Sequence, residues 1–269
     1  MSNQIQIGFL GCGNMGGAIL EGMLADHLHK PSEVLVCDHS EERRTQWAQS
    51  GVRTTTEAGE LAGLETMVIA VKPQSFPQAA EALGVLEHPS LTISVMAGID
   101  SEQISRALGP LARVVRVMPN TPCGIGMGIS AIAPGTGSRA KDLEEASKMM
   151  STVGEVVTVD ENSMHAVTAT SGSGPAYLFF LAEAWIEAGI NAGLTPEIAK
   201  KLVIETICGS AELLKRSGDP ESLRKMVTSP GGTTAAGIDQ LERQGLRTAM
   251  RDAALAAHDR GVELGRKHG

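Results

Sequence analysis

The chain has 269 residues, enough for about two domains that form apolar cores without disulfides or metals. Its formal net charge of −8 comes without a basic run, which argues against a nucleic-acid partner, and no apolar run reaches the roughly 20 residues of a membrane span. The four cysteines lack metal-site spacing, and the first residues lack signal-peptide features, so we expect a cytoplasmic protein with reduced thiols and no metal site.

The first 160 residues alternate short apolar runs with helix-like stretches. The runs predict strands at Gln4–Leu10, Val34–Asp38, Gly51–Thr54, Thr66–Lys72, Leu91–Ala97, Arg113–Met118, Ile129–Ala133 and Gly154–Asp160. Helices are predicted between them at Met15–Asp26, Ser40–Gln49, Phe76–Leu83, Ser101–Leu108 and Lys141–Ser151. Strand–helix alternation with near-continuous apolar strands predicts a doubly wound, mostly parallel α/β sheet.

After Asp160 the apolar residues recur with helical spacing only. The helices predicted there are Tyr177–Asn191, Pro196–Ser217, Leu223–Val227, Ala235–Arg243 and Leu246–Lys267. We therefore predict a domain boundary near Asp160, with an α/β domain at 1–160 and an all-helical domain at 161–269. Nearly every helix of the second domain has an apolar face, which predicts self-association into at least a dimer.

A dinucleotide-binding signature lies at the first strand–helix junction, in the residues Gly11-Cys12-Gly13-Asn14-Met15-Gly16. It follows a strand and opens a helix, and the acidic Asp38 ends the next strand, 22 positions after Gly16. In this context Gly11 makes the turn, Gly13 admits the pyrophosphate and Gly16 allows helix–strand contact. The first domain is therefore predicted to be a Rossmann-type domain.

The choice of dinucleotide stays open at this point. A carboxylate at Asp38 would accept the ribose 2′-hydroxyl of NADH and repel the 2′-phosphate of NADPH. Arg43 and Arg44 follow closely and could turn toward that phosphate, although a solvent-exposed helix face explains them as well.

Two further segments follow strands at the edge where ligands bind in open α/β sheets. One is Ala70-Val71-Lys72-Pro73-Gln74 and the other runs from Arg116 to Pro122. Lys72 is a candidate for the cofactor phosphate or ribose, and Asn120 for the nicotinamide. Turn chemistry accounts for the prolines equally well.

The segment Ser229-Pro230-Gly231-Gly232-Thr233-Thr234 predicts an anion site within the helical half. Adjacent glycines allow φ > 0, and the chain then enters a helix whose first N–H groups lack partners. An exposed row of such donors favours a small substrate that carries a carboxylate. Ser171–Tyr177, another glycine-containing segment, is explained equally well as a helix junction. His165 is a lone histidine, and such residues are more often structural than catalytic.

These motifs together resemble pyrroline-5-carboxylate reductase. The matching pieces are GFLGCGNMG, AVKPQ, SVMAGI, RVMPNTP, AVTATSGSGPAY and VTSPGGTTAAGI, in that order from Gly8 to Ile238. The resemblance implies an N-terminal Rossmann domain and a helical C-terminal domain that dimerises by helix exchange, with dimers often building a decamer. It also implies NADPH- or NADH-dependent reduction of the cyclic imine 1-pyrroline-5-carboxylate to L-proline.

The resemblance also implies roles for individual residues. Cofactor contacts are implied for Leu10, Gly11, Cys12, Gly13, Asn14, Met15, Val71, Lys72 and Ala97. Substrate contacts are implied for Glu161, Thr233 and Thr234, with the Thr234 hydroxyl near the ring nitrogen. Two residues depart from many relatives, Asp38 where a neutral residue is common and Met226 where some have a polar one.

Two other functions remain open from the sequence. A β-hydroxyacid dehydrogenase would need a catalytic lysine in the helical half, where Lys200 and Lys201 lack a fitting glycine motif. A non-enzymatic dinucleotide sensor would keep the first glycine motif but need not keep Ser229–Thr234.

Overall fold

The computed structural model describes residues 5–267, so Gln4, where the first predicted strand begins, lies outside them. Its strands within this range are β1 (Ile7–Leu10), β2 (Val34–Cys37), β3 (Arg53–Thr55), β4 (Thr66–Ile69), β5 (Ser90–Ser94), β6 (Ala112–Met118), β7 (Gly128–Pro134) and β8 (Gly154–Thr158). They form one sheet in the order β3-β2-β1-β4-β5-β6-β7-β8. Adjacent strands are parallel except β6 and β7.

The apolar strands are explained by burial of both faces of the sheet. Ile7 and Phe9 lie in the core on one face, whereas Leu10, Met67 and Ile69 lie in a second core. Alternate residues of a strand point to opposite faces, so a sheet covered on both sides selects apolar residues at every position.

Helices cover this sheet. They are α1 (Asn14–Ala25), α2 (Glu41–Gln49), α3 (Phe76–Leu83), α4 (Ser101–Leu108), α5 (Ala140–Met150) and α6 (Met164–Val167). The Asp100 carboxylate accepts the Gln103 N–H and caps α4. The chain leaves β1 for β2 on one side, and β4 pairs on the other side of β1. Such a switch point creates a ligand crevice at the carboxyl ends of these strands.

The rest of the described chain is helical. Its helices are α7 (Gly174–Asn191), α8 (Pro196–Ser217), α9 (Pro220–Met226), α10 (Thr233–Arg243) and α11 (Leu246–Lys267). The Thr195 hydroxyl accepts the Ile198 N–H and Pro196 occupies the first position of α8, while Gly218 ends that helix with φ +68°. The predicted fold class, a Rossmann-type, mostly parallel sheet followed by a helical part, is confirmed.

The described residues fall into two compact units. The first comprises residues up to Ser173 together with those from Ala256 onward, and the second is Gly174–Leu255. The second half of α11 therefore belongs to the α/β unit, where the Gln103 side-chain N–H donates to the Gly265 carbonyl at 2.8 Å. The predicted boundary near Asp160 stays a prediction.

The helical unit exposes many large apolar side chains. They include Leu178, Phe179, Phe180, Leu181 and Trp185 on α7, and Ile198, Leu202 and Leu213 on α8. Large contiguous areas of exposed apolar surface are typical of interaction sites. No helix within residues 5–267 combines the length and the hydropathy that crossing a bilayer requires.

Candidate active site

The glycine-rich loop joins β1 to α1 at the carboxyl edge of the sheet. Gly11 has φ +82°, and its N–H donates to the Cys37 carbonyl at 2.8 Å, which ties the loop to β2. A Cβ at Gly11 would lie 2.8 Å from Cγ1 of Val71. Both the backbone conformation and the close contact therefore require glycine.

The loop fits the pyrophosphate of a dinucleotide. A Cβ at Gly16 would lie 2.8 Å from the Gly11 carbonyl oxygen and 3.0 Å from Cβ of Ala70, so α1 packs closely on β1 and β4 only with glycine there. Gly13 caps α1 without a side chain, and the first turn, with the exposed Asn14 and half-buried Met15, has no acidic residue. The first N–H groups of α1 thus remain suited to an anion.

Asp38 follows β2 and is buried beneath this loop. Its Oδ2 accepts the Cys12 N–H at 2.8 Å, and its Oδ1 accepts the Ser40 N–H at 2.9 Å. Arg43 Nη1 lies 3.8 Å from Oδ2, and Arg44 Nη1 donates to the Asp38 carbonyl at 2.7 Å. The carboxylate predicted to meet the ribose is thus hydrogen-bonded within the protein.

The two thiols near the loop are structural rather than nucleophilic. Burial and the neighbouring Asp38 raise the pKa of Cys12 to about 12 and that of Cys37 to about 11. Both therefore stay protonated at neutral pH. All four cysteines lie among the described residues, and none of them forms a disulfide there.

The segments after β4 and β5 reach the same edge. The Ala70 N–H donates to the Leu10 carbonyl at 2.9 Å, so the predicted positions Leu10 and Ala70 adjoin each other. Lys72 is exposed just after β4, and Pro73 begins a short 3₁₀ turn that directs the chain into α3. Ala97 follows β5 and is half-buried. Lys72 is an exposed cation just after β4 and is suited to phosphate or ribose oxygens.

Asn120 follows β6, the last parallel strand before the antiparallel pair. Its Oδ1 accepts the Ile129 N–H at 3.0 Å, so the side chain holds the loop that leads into β7. The predicted contact of Asn120 with a nicotinamide stays a prediction.

Glu161 lies in a cluster that the sequence did not indicate. Its Oε1 accepts the Ser101 N–H at 2.8 Å and its Oε2 accepts the Ser101 hydroxyl at 2.6 Å. Arg116 Nη1 lies 3.5 Å from Oε1. Burial lowers the pKa of Arg116, whereas Glu161 and Asp100 oppose that shift. Glu161 therefore accepts both hydrogen bonds that Ser101 donates at the start of α4, and it pairs with a buried guanidinium.

His165 packs against the end of α11. Its ring lies edge to face with His258, with the ring centroids 6.1 Å apart, and a Cβ at Gly261 would come within 3.1 Å of Nδ1. Burial, Arg116 and His258 lower the pKa of His165. These contacts are typical of a structural histidine.

The predicted anion site forms the start of α10 in the helical unit. Gly231 has φ +72°, and the Gly232 N–H donates to the Ser229 carbonyl at 3.1 Å. A Cβ at Gly232 would lie 2.5 Å from the Ser229 hydroxyl. Thr233 and Thr234 open the helix, both exposed, and its first turn has no acidic residue and no side-chain cap. The N–H groups of this turn are therefore suited to an anion.

The helical unit also exposes the two lysines of the dehydrogenase alternative and the methionine that departs from some relatives. Lys200 and Lys201 lie on the surface of α8. Met226 ends α9 and is also exposed.

Two family models match different parts of the chain. One, described as pyrroline-5-carboxylate reductase dimerisation, matches residues 161–264. The other, described as NADP oxidoreductase coenzyme F420-dependent, matches residues 6–98. The first match begins where the helical half was predicted to begin, and the second contains the glycine-rich loop.

Relatives match along almost the whole chain. The chain is 40% identical to the pyrroline-5-carboxylate reductase of Synechocystis sp., over 98% of this chain and 99% of that protein. A solved pyrroline-5-carboxylate reductase from Coxiella burnetii has 34% identity and a TM-score of 0.88, covering 97% of this chain and 98% of that one. A Plasmodium falciparum pyrroline carboxylate reductase solved with NADP bound has 30% identity and a TM-score of 0.85, covering 98% of this chain and 100% of that one. The chain belongs to the pyrroline-5-carboxylate reductase family.

Proposed function

We propose that this chain reduces the C=N bond of 1-pyrroline-5-carboxylate with NADPH or NADH and releases L-proline, the last step of proline biosynthesis. Reduced nicotinamide supplies the hydride that forms the new C–H bond at the imine carbon. The ring nitrogen takes its proton from water, since a cyclic imine is basic, and the proposal needs no side-chain acid. The protein then acts mainly by positioning, which can contribute about 7–11 kcal/mol.

The observation that carries the proposal is the exposed turn at Ser229–Thr234. Gly231 has φ +72° and Gly232 is the N-cap of α10, so the N–H groups of Thr233 and Thr234 belong to a first turn that no side chain caps. A carboxylate satisfies such donors and interacts favourably with the helix dipole. Thr234 would in addition hydrogen-bond the ring nitrogen and thereby select the face of the imine.

The dinucleotide would bind along the carboxyl edge of the sheet. The loop residues Gly11–Met15 would hold the pyrophosphate through their backbone. Lys72 would contact phosphate or ribose, and Val71, Pro73, Ala97 and Asn120 would line the nicotinamide half. The resemblance implies substrate contact for Glu161, whereas its contacts with Ser101 and Arg116 favour a positioning role.

The proposal also includes the oligomeric state of the chain, its domain boundary and its cellular compartment. A homodimer formed through the helical unit would cover the exposed apolar side chains of α7 and α8, and dimers would assemble further into a decamer. The dimerisation match from residue 161 supports a domain boundary near Asp160. Unpaired cysteines are consistent with the cytoplasm.

The test is a spectrophotometric assay with the purified full chain. We expect loss of NADPH or NADH absorbance that requires 1-pyrroline-5-carboxylate, with L-proline identified by chromatography. Matched reactions with 3-hydroxy acids and the oxidised cofactors should show no turnover. Turnover of a hydroxy acid alone would support the dehydrogenase alternative, and no turnover of either would support the sensor.

A further inference from the structure

The turn between β5 and α4 includes Ala97, a candidate nicotinamide contact, and its next residue, Gly98, meets the end of α11. A Cβ at Gly98 would lie 3.5 Å from the Gly265 nitrogen and 3.8 Å from the Gly261 carbonyl oxygen. A Cβ at Gly265 would in turn lie 2.8 Å from the Gly98 carbonyl oxygen. The two helix glycines are four positions apart and share one face of α11. The backbones of the turn and the helix are therefore in direct contact.

A hydrogen-bonded side chain fixes the same end of α11. Gln103, in the first turn of α4, donates its side-chain N–H to the Gly265 carbonyl at 2.8 Å. Its Oε1 accepts the Asp100 N–H at 2.8 Å, and the Asp100 carboxylate accepts the Gln103 N–H at 2.7 Å. Since Gln103 is buried, it links the cap of α4 firmly to α11. The turn with Ala97 thus ends in a cap that is itself bonded to this helix.

Two histidines pack against each other beside this contact. His165 on α6 and His258 on α11 lie edge to face, with the ring centroids 6.1 Å apart and the ring planes at 81°. A Cβ at Gly261 would lie 3.1 Å from Nδ1 of His165, and one at Gly265 would lie 3.7 Å from its Cε1. The histidine ring therefore touches the same glycine face of α11 that meets the turn.

Protonation is disfavoured at this pair. The titratable groups that face His165 are Arg116 from β6, His258 from α11 and Asp100 before α4. Burial, Arg116 and His258 lower the pKa of His165, and Asp100 opposes that shift. His258 Nδ1 lies 3.0 Å from Oδ1 of the exposed Asp259. A histidine whose pKa is lowered by packing stabilises that packing above its ordinary pKa of about 6.5, and this stabilisation is lost as the pH falls.

We propose that residues 256–267 of α11 position the turn with Ala97 for the nicotinamide half of the cofactor, and that His165 and His258 hold them there only while both rings are neutral. The inference rests on the proposed function, because it takes the crevice to bind a dinucleotide. Both histidines are positioning residues, since they act through α11 and the turn. As the pH falls below about 6.5, α11 should leave the turn, whereas the glycine-rich loop keeps the adenosine half.

The first test measures the packing of α11 in the full chain by hydrogen exchange, with rates corrected for the intrinsic effect of pH. The amides of residues 256–267 should lose at least about 5-fold in protection between about pH 7.5 and about pH 5.5. A variant with both His165→Phe and His258→Phe keeps two aromatic rings that cannot be protonated, so its protection should change by less than about 2-fold. His88→Phe, at an exposed histidine before β5, is the control and should behave like the unsubstituted protein. Constant protection in the unsubstituted protein would overturn the role of the histidines.

The second test measures ligand binding by calorimetry near neutral pH. The tighter of NADP⁺ and NAD⁺ contains the nicotinamide, whereas its adenosine half alone, adenosine 2′,5′-bisphosphate or AMP, does not. Gly265→Ala adds a Cβ against the Gly98 carbonyl and should weaken the dinucleotide about 10-fold, the scale of an overpacked contact. The adenosine half should change by less than about 2-fold. Gly209→Ala, in α8 where an added Cβ meets none of the described residues within 4 Å, is the control and should change neither.

The outcomes separate this inference from the proposed function. If Gly265→Ala weakens both ligands equally, or neither, the positioning role of α11 is overturned and the dinucleotide site stands. If the unsubstituted protein binds neither ligand, the proposed function fails as well. At about pH 5.5 the double phenylalanine variant should bind the dinucleotide at least about 5-fold more tightly than the unsubstituted protein, a comparison in which the titration of the ligand cancels. Equal affinities there would show that the histidines only stabilise the fold.

Discussion

The cofactor loop of the first unit and the anion turn of the second are both built on glycines, yet they differ in how far the residues around them are buried. Around the loop, Asp38 and Cys12 are buried and hydrogen-bonded to each other. The turn at Gly231–Thr234 is exposed, and the helices of its unit expose large apolar side chains. The α/β unit therefore has a buried core on both faces of its sheet, whereas the helical unit leaves apolar side chains exposed that another copy of the chain would cover.

The largest effect should come from a charge on the exposed face of α7. Phe180 is 72% accessible, and Phe180→Asp would bury an unpaired carboxylate in a dimer, twice over in a symmetric one. We expect the dimer dissociation constant to rise at least about 100-fold, measured by sedimentation equilibrium. Val85→Asp, at an apolar residue of the first unit that is 64% accessible, should leave assembly unchanged. Dissociation of the dimer by Val85→Asp and not by Phe180→Asp would place the interface in the α/β unit and contradict this expectation.

Next in size is the loss of the Thr234 hydroxyl. Thr234→Val keeps the branched shape and should lower kcat/KM for the imine by about 10- to 100-fold, the scale of one positioned hydrogen bond. Thr234→Ser keeps the hydroxyl and should retain most of the activity. Equal kinetics for the valine and serine variants would remove this hydroxyl from the mechanism.

A smaller effect is expected at Gly11. Gly11→Ala adds strain at φ +82° and a contact with Val71, so NADPH should bind about 10- to 30-fold more weakly, by fluorescence titration. Gly84 has φ +78°, and an added Cβ there meets none of the described residues within 4 Å. Gly84→Ala should therefore lower the thermal midpoint without changing NADPH affinity. Weaker NADPH binding in the Gly84 variant as well would indicate general destabilisation.

The smallest change should follow Glu161→Gln. If Glu161 stabilises Ser101 and Arg116, the free energy of unfolding should fall by about 1–2 kcal/mol with KM for the imine unchanged, in denaturant titrations at one protein concentration. Glu145→Gln, in an exposed pair with Lys141, is the control and should stay within about 0.5 kcal/mol. A raised KM with unchanged stability would favour direct substrate contact instead.

Local signals in the sequence predicted the elements well. The helices Pro196–Ser217 and Leu246–Lys267 have the predicted bounds, the first because Thr195 and Pro196 mark its start and Gly218 its end. The glycine-rich loop was likewise recognisable, since strand, glycines and helix follow one another within a few residues.

Long-range contacts and helix irregularities were not predictable in this way. Glu161 meets Ser101 across 60 positions, and no local pattern links them. The acidic Asp38 was correctly located at the end of β2, but its burial against Cys12 depends on how the loop folds back. Thr168–Gly172 forms a π-helical turn where the glycines suggested only a junction, because i→i+5 bonding leaves no compositional signature.

The most direct test of the account is a crystal structure of the full enzyme with L-proline bound. We predict that the proline carboxylate lies within hydrogen-bond distance of the Thr233 and Thr234 N–H groups at the start of α10. Proline bound elsewhere, with those N–H groups facing only solvent, would contradict it.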